Sequence, residues 1–449
     1  MGFFGGPSGS DQRSGEGLPR PTAPAERIVV IDVLRGVALL GIVLMNIPYA
    51  GLPASAAWVP TVAGGSTGID WWAWFLSCVF IDGKARALFS ILFGAGVILM
   101  TSRAESSGLE GAARSADLHY RRMLWLMAFG LVDSYLLIWP GDIIYLYGLC
   151  GLLLYPLRKL SAKALITASI VLIAIGICYG LVQRQFEIAE RDEVMSIRAT
   201  QASGGALTRE QQETLKEWNE GLEEDFPPRE DVEKELQKRR RGYFSNVVTL
   251  APITKDIQSL PLYFEVDAIS MMLLGMGLMR AGVLSGSRSR RFYALCASLC
   301  LPIGWAIAAL GPLDWSRSGF HAEHISPLWA SYSWSYQLQR LLIVIGYIGL
   351  VILLVRFGTL ARAWRAIAAA GRLPLTNYLG QSVIYIVLLS GTGFGLIGSL
   401  ARHELLIIAL LIWIWQVLFS VAWSAHFAYG PLEYLWRWLT YGRRPEWRR

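Results

Sequence analysis

Two ionisable groups and an amide on one apolar stretch are the first residues here that could do chemistry. Asp32 and Arg35, in the run Asp32-Val-Leu-Arg35-Gly36, are three positions apart, so on a helix they share a face and can pair. Asn46 comes eleven residues after Arg35, about 16 Å further along a helix rising 1.5 Å per residue. One helix would then carry charge at its start and an amide able to polarise a carbonyl near its end. A structural ion pair with a capping Asn accounts for the same residues. The run Asp82-Gly83-Lys84-Ala85-Arg86 gathers charges at the mouth of the next apolar stretch, around a glycine suited to a tight turn. Further along, Asp133 falls inside an apolar run, Asp142 follows the break Trp139-Pro140-Gly141, and Glu265 and Asp267 lie near one end of another run. Such carboxyls could form a proton relay or stand separately at interfaces.

The densest polar run is Gly371-Arg372-Leu-Pro374-Leu-Thr376-Asn377-Tyr378-Leu-Gly-Gln381. Thr376 could cap the helix that follows, with Asn377 and Gln381 on its first turns. Arg372 at that helix start would suit a phosphate, because free N–H groups and the helix dipole favour anions there. An ordinary loop with one snorkelling Arg is the plainer reading. Arg121 and Arg122 are adjacent basic residues at the head of another apolar run. Of the five His residues, His321 and His324 share a loop with Trp315, Trp329 and Trp334 and are the best-placed candidate bases. The five Cys form neither a CxxC nor a Cys/His set, so no metal site or disulfide framework is expected.

The elements that must position these groups are membrane helices. The 449 residues are 54% hydrophobic and 17% charged, with mean hydropathy +0.41, where a soluble domain has about 25% charged residues. Apolar stretches of roughly 17–24 residues match a ~30 Å hydrocarbon core. This excludes a soluble enzyme on a single anchor, and also an outer-membrane barrel built of alternating segments of about ten residues. The fold class is an all-α polytopic membrane protein. Ten spans are expected: Ile28–Tyr49, Arg86–Thr101, Arg122–Trp139, Asp142–Leu157, Lys163–Val182, Leu262–Ala281, Phe292–Gly311, Tyr336–Val355, Leu375–Ser399 and Leu405–Phe427. Ile69–Ile81 is too short to cross and reads as an outer interfacial or re-entrant helix anchored by Trp71, Trp72 and Trp74.

With that helix left uncrossed, the Arg-rich connections fall on one side together with both termini, and the positive-inside bias makes that side cytoplasmic. Placement of the Arg residues at these connections, rather than on one patch, argues against a nucleic-acid partner despite the net charge of +7. Residues 1–27 read as a disordered cytoplasmic tail, rich in Gly, Pro and Ser and with no signal peptide. Residues 28–183 and 261–428 are the two membrane portions, and 429–449 form a basic cytoplasmic tail. Between the membrane portions lies a charged extracytoplasmic insertion, residues 184–260. Its stretch Arg184–Arg241 carries eleven Lys/Arg and fifteen Asp/Glu and reads as a helical hairpin broken at Pro227–Pro228. It is either a solvated cap or a cover over a site.

Six stretches resemble the YeiB-like family of bacterial integral membrane proteins, whose role is largely undefined. They are IDVLRGVALLGIVLMNI (Ile31–Ile47), KARALFSILFGAGV (Lys84–Val97), YRRMLWLMAFGLVD (Tyr120–Asp133), GDIIYLYG (Gly141–Gly148), AAGRLPLTNYLGQS (Ala369–Ser382) and FAYGPLEYLWRWLTYG (Phe427–Gly442). The first helix is also similar to that of two membrane acyltransferase families, the bacterial integral-membrane O-acyltransferases and heparan-alpha-glucosaminide N-acetyltransferase. Both move acyl groups from cytosolic acyl-CoA to an acceptor across the membrane. Asn46 stands where the O-acyltransferases have a His, and no His occurs from Asn46 to Arg86.

The resemblance implies a multi-pass protein of the bacterial cytoplasmic (inner) membrane, with acyl-CoA as donor substrate. Arg35, Arg121, Arg122 and Arg372 would hold the donor's phosphates, Asn46 would polarise the acyl carbonyl, and His321 or His324 would act as base. Asp32, Asp82, Arg86, Asp142, Thr376, Asn377 and Gln381 complete the expected binding set. The alternatives are a transporter or flippase of a small metabolite or lipid-linked group, using the intramembrane carboxylates, and a non-enzymatic sensor or partner protein. The bilayer is the evident partner, and glycines at 391, 393, 395 and 398 leave room for a homodimer.

Overall fold

The computed structural model describes residues 29–105, 108–259, 263–325, 334–356 and 360–448. The expected tail at 1–27, Trp329, Arg449 and the side chain of Glu265 lie outside the described residues. The described chain is helical, in keeping with its long apolar runs. Helices α1 (Val29–Gly51), α2 (Gly68–Phe80), α3 (Lys84–Glu105), α4 (Gly108–Leu131), α5 (Ile144–Leu157) and α6 (Ala162–Ala202) make up the first part. Helices α7 (Arg209–Asp225), α8 (Arg229–Arg240) and α9 (Tyr243–Ser259) follow. The second part holds α10 (Tyr263–Arg280), α11 (Arg290–Leu295), α12 (Leu301–Arg317), α13 (Trp334–Arg356), α14 (Ala361–Arg372), α15 (Pro374–Leu388), α16 (Arg402–His426) and α17 (Pro431–Tyr441).

Among the described residues six helical stretches are long and apolar enough to cross a bilayer: Val29–Gly51, Gly68–Ser102, Ala162–Ala202, Arg290–Arg317, Trp334–Arg356 and Arg402–His426. The remaining apolar helices α4, α5, α10 and α15 pack among them. The outward faces of α6, α12 and α16 are apolar: Ile170, Ile303, Ile407, Leu411 and Leu418 are all more than half exposed, as expected of side chains that meet lipid tails rather than water.

Small residues set the closest approaches. Gly371 at the end of α14 sits against α1, where an added Cβ would overlap the Asp32 carbonyl and stand 2.6 Å from Gly36 N. Gly94 on α3 presses against the Met272 carbonyl of α10, and Gly275 on α10 against the Ile91 carbonyl of α3, in the same way. This is how membrane helices gain dispersion contact without a hydrophobic driving force.

Two local features differ from the sequence reading. The expected span Leu375–Ser399 is helical only to Leu388, and residues 389–401 are turns. Gly395 and Gly398 take left-handed φ of 66° and 68° within these turns, a conformation other residues rarely permit. The charged insertion, expected as one helical hairpin from Arg184, instead begins as a continuation of α6, which runs on unbroken to Ala202. Beyond it α7 and α8 form a hairpin that breaks at Pro227–Pro228, and Pro228 stands at the cap of α8.

Candidate functional site

The end of the bundle where α1 finishes holds a cavity of ≈ 370 Å³. Its wall is mostly apolar, with a few polar groups converging on it, as in ligand sites generally. Asn46, 6% exposed, enters from α1. Asp82 and Arg86 come from the α2–α3 turn, which Gly83 makes possible at φ 70°. A Cβ on Gly83 would overlap the Tyr336 hydroxyl of α13, so the turn and this tyrosine are fitted to each other. Asp142 arrives from the α4–α5 loop, and Ser382 and Tyr385 from α15.

Arg86 is held in place by a buried network. Its guanidinium is 3.6 Å from Asp267 on α10, which also receives two hydrogen bonds from the fully buried Arg340 of α13, one of 2.8 Å. Gln337 accepts from Arg340 at 2.7 Å and donates to Asp267 at 3.4 Å. Tyr147 and Ser90 meet at 2.5 Å beneath it, and the Tyr147 hydroxyl donates to the Arg86 carbonyl at 3.1 Å. Two guanidiniums thus share the Asp267 carboxylate, and Arg86 also reaches the cavity wall, where it stands beside Tyr336.

The other polar end is acidic. Asp142 accepts from the backbone N–H groups of Ile144 and Tyr145 at 3.0 and 2.8 Å, anchoring the start of α5. Asp133 lies behind it, fully buried in a π-helical turn, Val132–Leu136, that continues α4. Such wide turns recur at functional sites. Asp133 faces Asp142 and Ser382, yet neither of its oxygens receives a hydrogen bond of good geometry, and the buried Tyr385 hydroxyl near it is also unpaired.

Helices α8 and α9 close the mouth. Arg239 donates to the carbonyls of Leu52 and Ala50 at the end of α1, at 3.1 and 3.3 Å, and to Glu235 at 3.2 Å. Arg240 bonds the Ile397 carbonyl. Asn246, Leu250 and Ile253 of α9 line the cavity. Gln258 bonds Ser134 and Tyr135 at 3.1 and 3.0 Å, and Tyr243 donates to the Leu136 carbonyl, so α9 also clasps the Asp133 turn.

Of the residues singled out from sequence, Asn46, Asp82, Arg86 and Asp142 therefore meet in one space. Asp32 and Arg35 pair at 3.2 Å at the opposite end of the bundle, beside the Gly371 carbonyl and so near Arg372. Arg122 lies there too, its guanidinium 4.2 Å above the Trp436 ring and within electrostatic range of Arg35 and Arg437. Arg121 points away, exposed, to Asp117. Asn377 and Gln381 bond Ser420 and Gln416 across the α15–α16 contact and do not line the cavity. His321 and His324 lie in the turn after α12, where His324 meets Asp314 at 3.0 Å, and neither lines the cavity.

The α15 start expected to take a phosphate is occupied by the chain itself. The Glu433 carboxylate accepts from Leu375 N at 2.7 Å, Thr376 N at 3.0 Å and the Thr376 hydroxyl at 2.5 Å. Thr376 is therefore inside the first turn rather than its cap, and α17 supplies the capping anion from 57 residues away. Sequence reasoning also missed Tyr336, Tyr385 and Arg239. The WPGD break was the one local signal near this wall, and no spacing linked it to α9 or α13.

Comparison with known proteins adds the following. A family model described as "Protein of unknown function (DUF418)" matches residues 278–443. The chain is 30% identical over 429 residues to a protein named "Uncharacterized protein YeiB" of Escherichia coli (strain K12), a match covering 92% of this chain and 96% of that protein. It is 28% identical over 439 residues to "Uncharacterized protein YxaH" of Bacillus subtilis (strain 168), covering 94% and 96%. A 39.9 kDa protein of Bacillus acidopullulyticus is 26% identical over 444 residues.

Proposed function

Because this chain belongs to the YeiB-like family of membrane proteins, we propose a function for it from its own residues: a multi-pass inner-membrane acyltransferase that carries an acyl group from cytosolic acyl-CoA to an acceptor in the cavity. The observation that carries this reading is the layout of α1. A cluster of guanidiniums, Arg35, Arg122 and Arg437, surrounds its start, and Asn46 enters the mostly apolar cavity near its end. The two are about 16 Å apart along the helix, a span an extended acyl thioester can bridge. The Arg-rich end is then cytoplasmic, and the cavity end faces out.

Arg35, Arg122 and Arg437 hold the donor's phosphates as point charges and forks. Asn46 donates its amide N–H to the thioester carbonyl, and Arg86 faces the oxygen that becomes negative. No His lines the cavity among the described residues, so Asp82 takes the place of the expected base. It accepts the proton of the acceptor's hydroxyl or amine as the O–C or N–C bond forms, the C–S bond breaks, and the proton passes to the leaving thiolate.

The test is native mass spectrometry and thermal unfolding of the purified protein with acetyl-, succinyl- and longer acyl-CoAs. Acyl-CoA should stabilise the wild type and fail to stabilise Arg122→Gln combined with Arg437→Gln. Asn46→Ala should keep the stabilisation but lose thioester cleavage. No stabilisation with any acyl-CoA refutes the reading, and substrate-dependent flux in vesicles would put transport in its place.

A further inference from the structure

The acidic end of the cavity has a charge and hydrogen-bond balance that the acyl-transfer scheme does not use. Asp142 lines this end and Asp133 lies fully buried directly behind; the two carboxyls face each other, Ser382, Tyr378 and the backbone N–H groups that Asp142 caps. The basic side chains on the cavity wall are committed elsewhere: Arg86 to Asp267, and Arg239 to Glu235 and the α1 carbonyls. The Tyr385 hydroxyl on this wall is buried and unpaired, and neither oxygen of Asp133 has a hydrogen bond of good geometry, although the Ser382 hydroxyl lies beside it. Native structures seldom leave such acceptors unpaired, and a carboxyl pair away from water calls for a cation or a proton.

Around this end the wall is aromatic and apolar. Trp139, Tyr145 and Tyr385 line it, and aromatic faces stabilise cations. Helix α9 separates the cavity from the surroundings with two unlike faces. Leu250 and Ile253 point into the cavity, while Phe244 and Val248, one turn apart, are 81% and 75% exposed. An outward apolar face of this kind on a membrane protein meets lipid.

We propose that the Asp133–Asp142 end of the cavity binds a primary ammonium group, and that its ligand is a cationic amphiphile whose apolar chain lies against the cavity wall and α9. The ammonium N–H groups match the unpaired Tyr385 oxygen and the outward oxygen surface of Asp142, and Asp133 behind them adds a second negative charge. Calling this ligand the acceptor rests on the acyl-transfer reading; ammonium binding stands by itself. In that reaction the ammonium first gives one proton to the Asp133–Asp142 pair. The freed nitrogen lone pair attacks the thioester carbonyl, the N–C bond forms and the C–S bond breaks. The second proton leaves through Asp82 to the thiolate, yielding an amide and a thiol.

The experiment is a binding titration of the full chain in detergent with decylammonium, decyltrimethylammonium and decanol, in the absence of acyl-CoA. Decylammonium should bind about tenfold tighter than either of the others, since only it both carries charge and donates hydrogen bonds. Asp133→Asn and Asp142→Asn should each reduce that preference to about threefold or less. Should Asp133→Asn not fold, Tyr385→Phe, which removes only an unpaired hydroxyl, should also weaken decylammonium selectively. Equal binding of decanol and decylammonium overturns the proposal, as does a preference that survives the carboxamide variants. Tighter binding of the trimethyl compound overturns it too, leaving aromatic contact alone as the cause. Since the donor test reads stabilisation by acyl-CoA at the other end of the bundle, either proposal can fail without the other.

Discussion

Replacing Asp267 by Asn should destabilise the bundle more than any other isosteric change near the cavity. The Arg340 guanidinium is 0% exposed and the Asp267 carboxylate 7%, and Arg86 adds a second cation at 3.6 Å. At an effective dielectric near 20, unit charges at that separation attract by about 5 kcal/mol. Most of this offsets the desolvation of the ions, so the intact network contributes little net stability. Removing only the carboxylate charge leaves that desolvation uncompensated and two guanidiniums facing each other. The expected loss is about 3–5 kcal/mol. Arg340→Met in the same background removes one stranded cation. The double variant should then lose about 2 kcal/mol less than the sum of the single losses, within the usual range for contacting residues. Reversible unfolding in mixed micelles, followed by the fluorescence of the 18 Trp, reads each free energy. A loss under about 1 kcal/mol for Asp267→Asn, or additivity within about 0.5 kcal/mol, would show that water or a rearranged partner already compensates Arg340, and the network argument would fall.

Three further outcomes are expected. Gly371→Ala should cost about 3 kcal/mol or more, at the upper end for overpacking, because the new methyl meets backbone of α1 rather than a movable side chain; an unchanged melting temperature would contradict the α1–α14 contact. Glu433→Ala should cost about 2 kcal/mol and speed amide exchange at Leu375 and Thr376, whose N–H groups lose their acceptor. Slow exchange at both would mean that another group caps α15. Arg239→Ala should leave the bundle folded but raise the rate of limited proteolysis between α7 and α9, since this side chain fastens α8 to the end of α1; an unaltered cleavage rate would assign the fastening to Arg240.

Much of this architecture follows from local sequence. Apolar runs longer than a bilayer core, with Arg at one set of ends, require membrane helices whatever their neighbours. Pro227–Pro228 breaks a charged helical stretch because the ring removes a donor and fixes φ, and Asp32 pairs with Arg35 because three positions on a helix are adjacent. Even Asn46, Asp82, Arg86 and Asp142 could be chosen, since a polar group on or at the end of an apolar run is conspicuous in one dimension.

Their meeting could not be read that way. Helical period tells which face a residue occupies but not which neighbour that face will find, and that choice rests on packing between segments hundreds of residues apart. Arg86 reaches the cavity already tied to Asp267 and Arg340, partners 181 and 254 positions on. Asp133, one of several scattered carboxyls in sequence, becomes distinctive only when Asp142 and Tyr385 close around it and neither of its oxygens has a hydrogen bond of good geometry. The α15 start, an anion site by local rules, is filled by Glu433. Local chemistry determined the helices and the groups they carry; long-range packing decided which groups share a space and which are already satisfied.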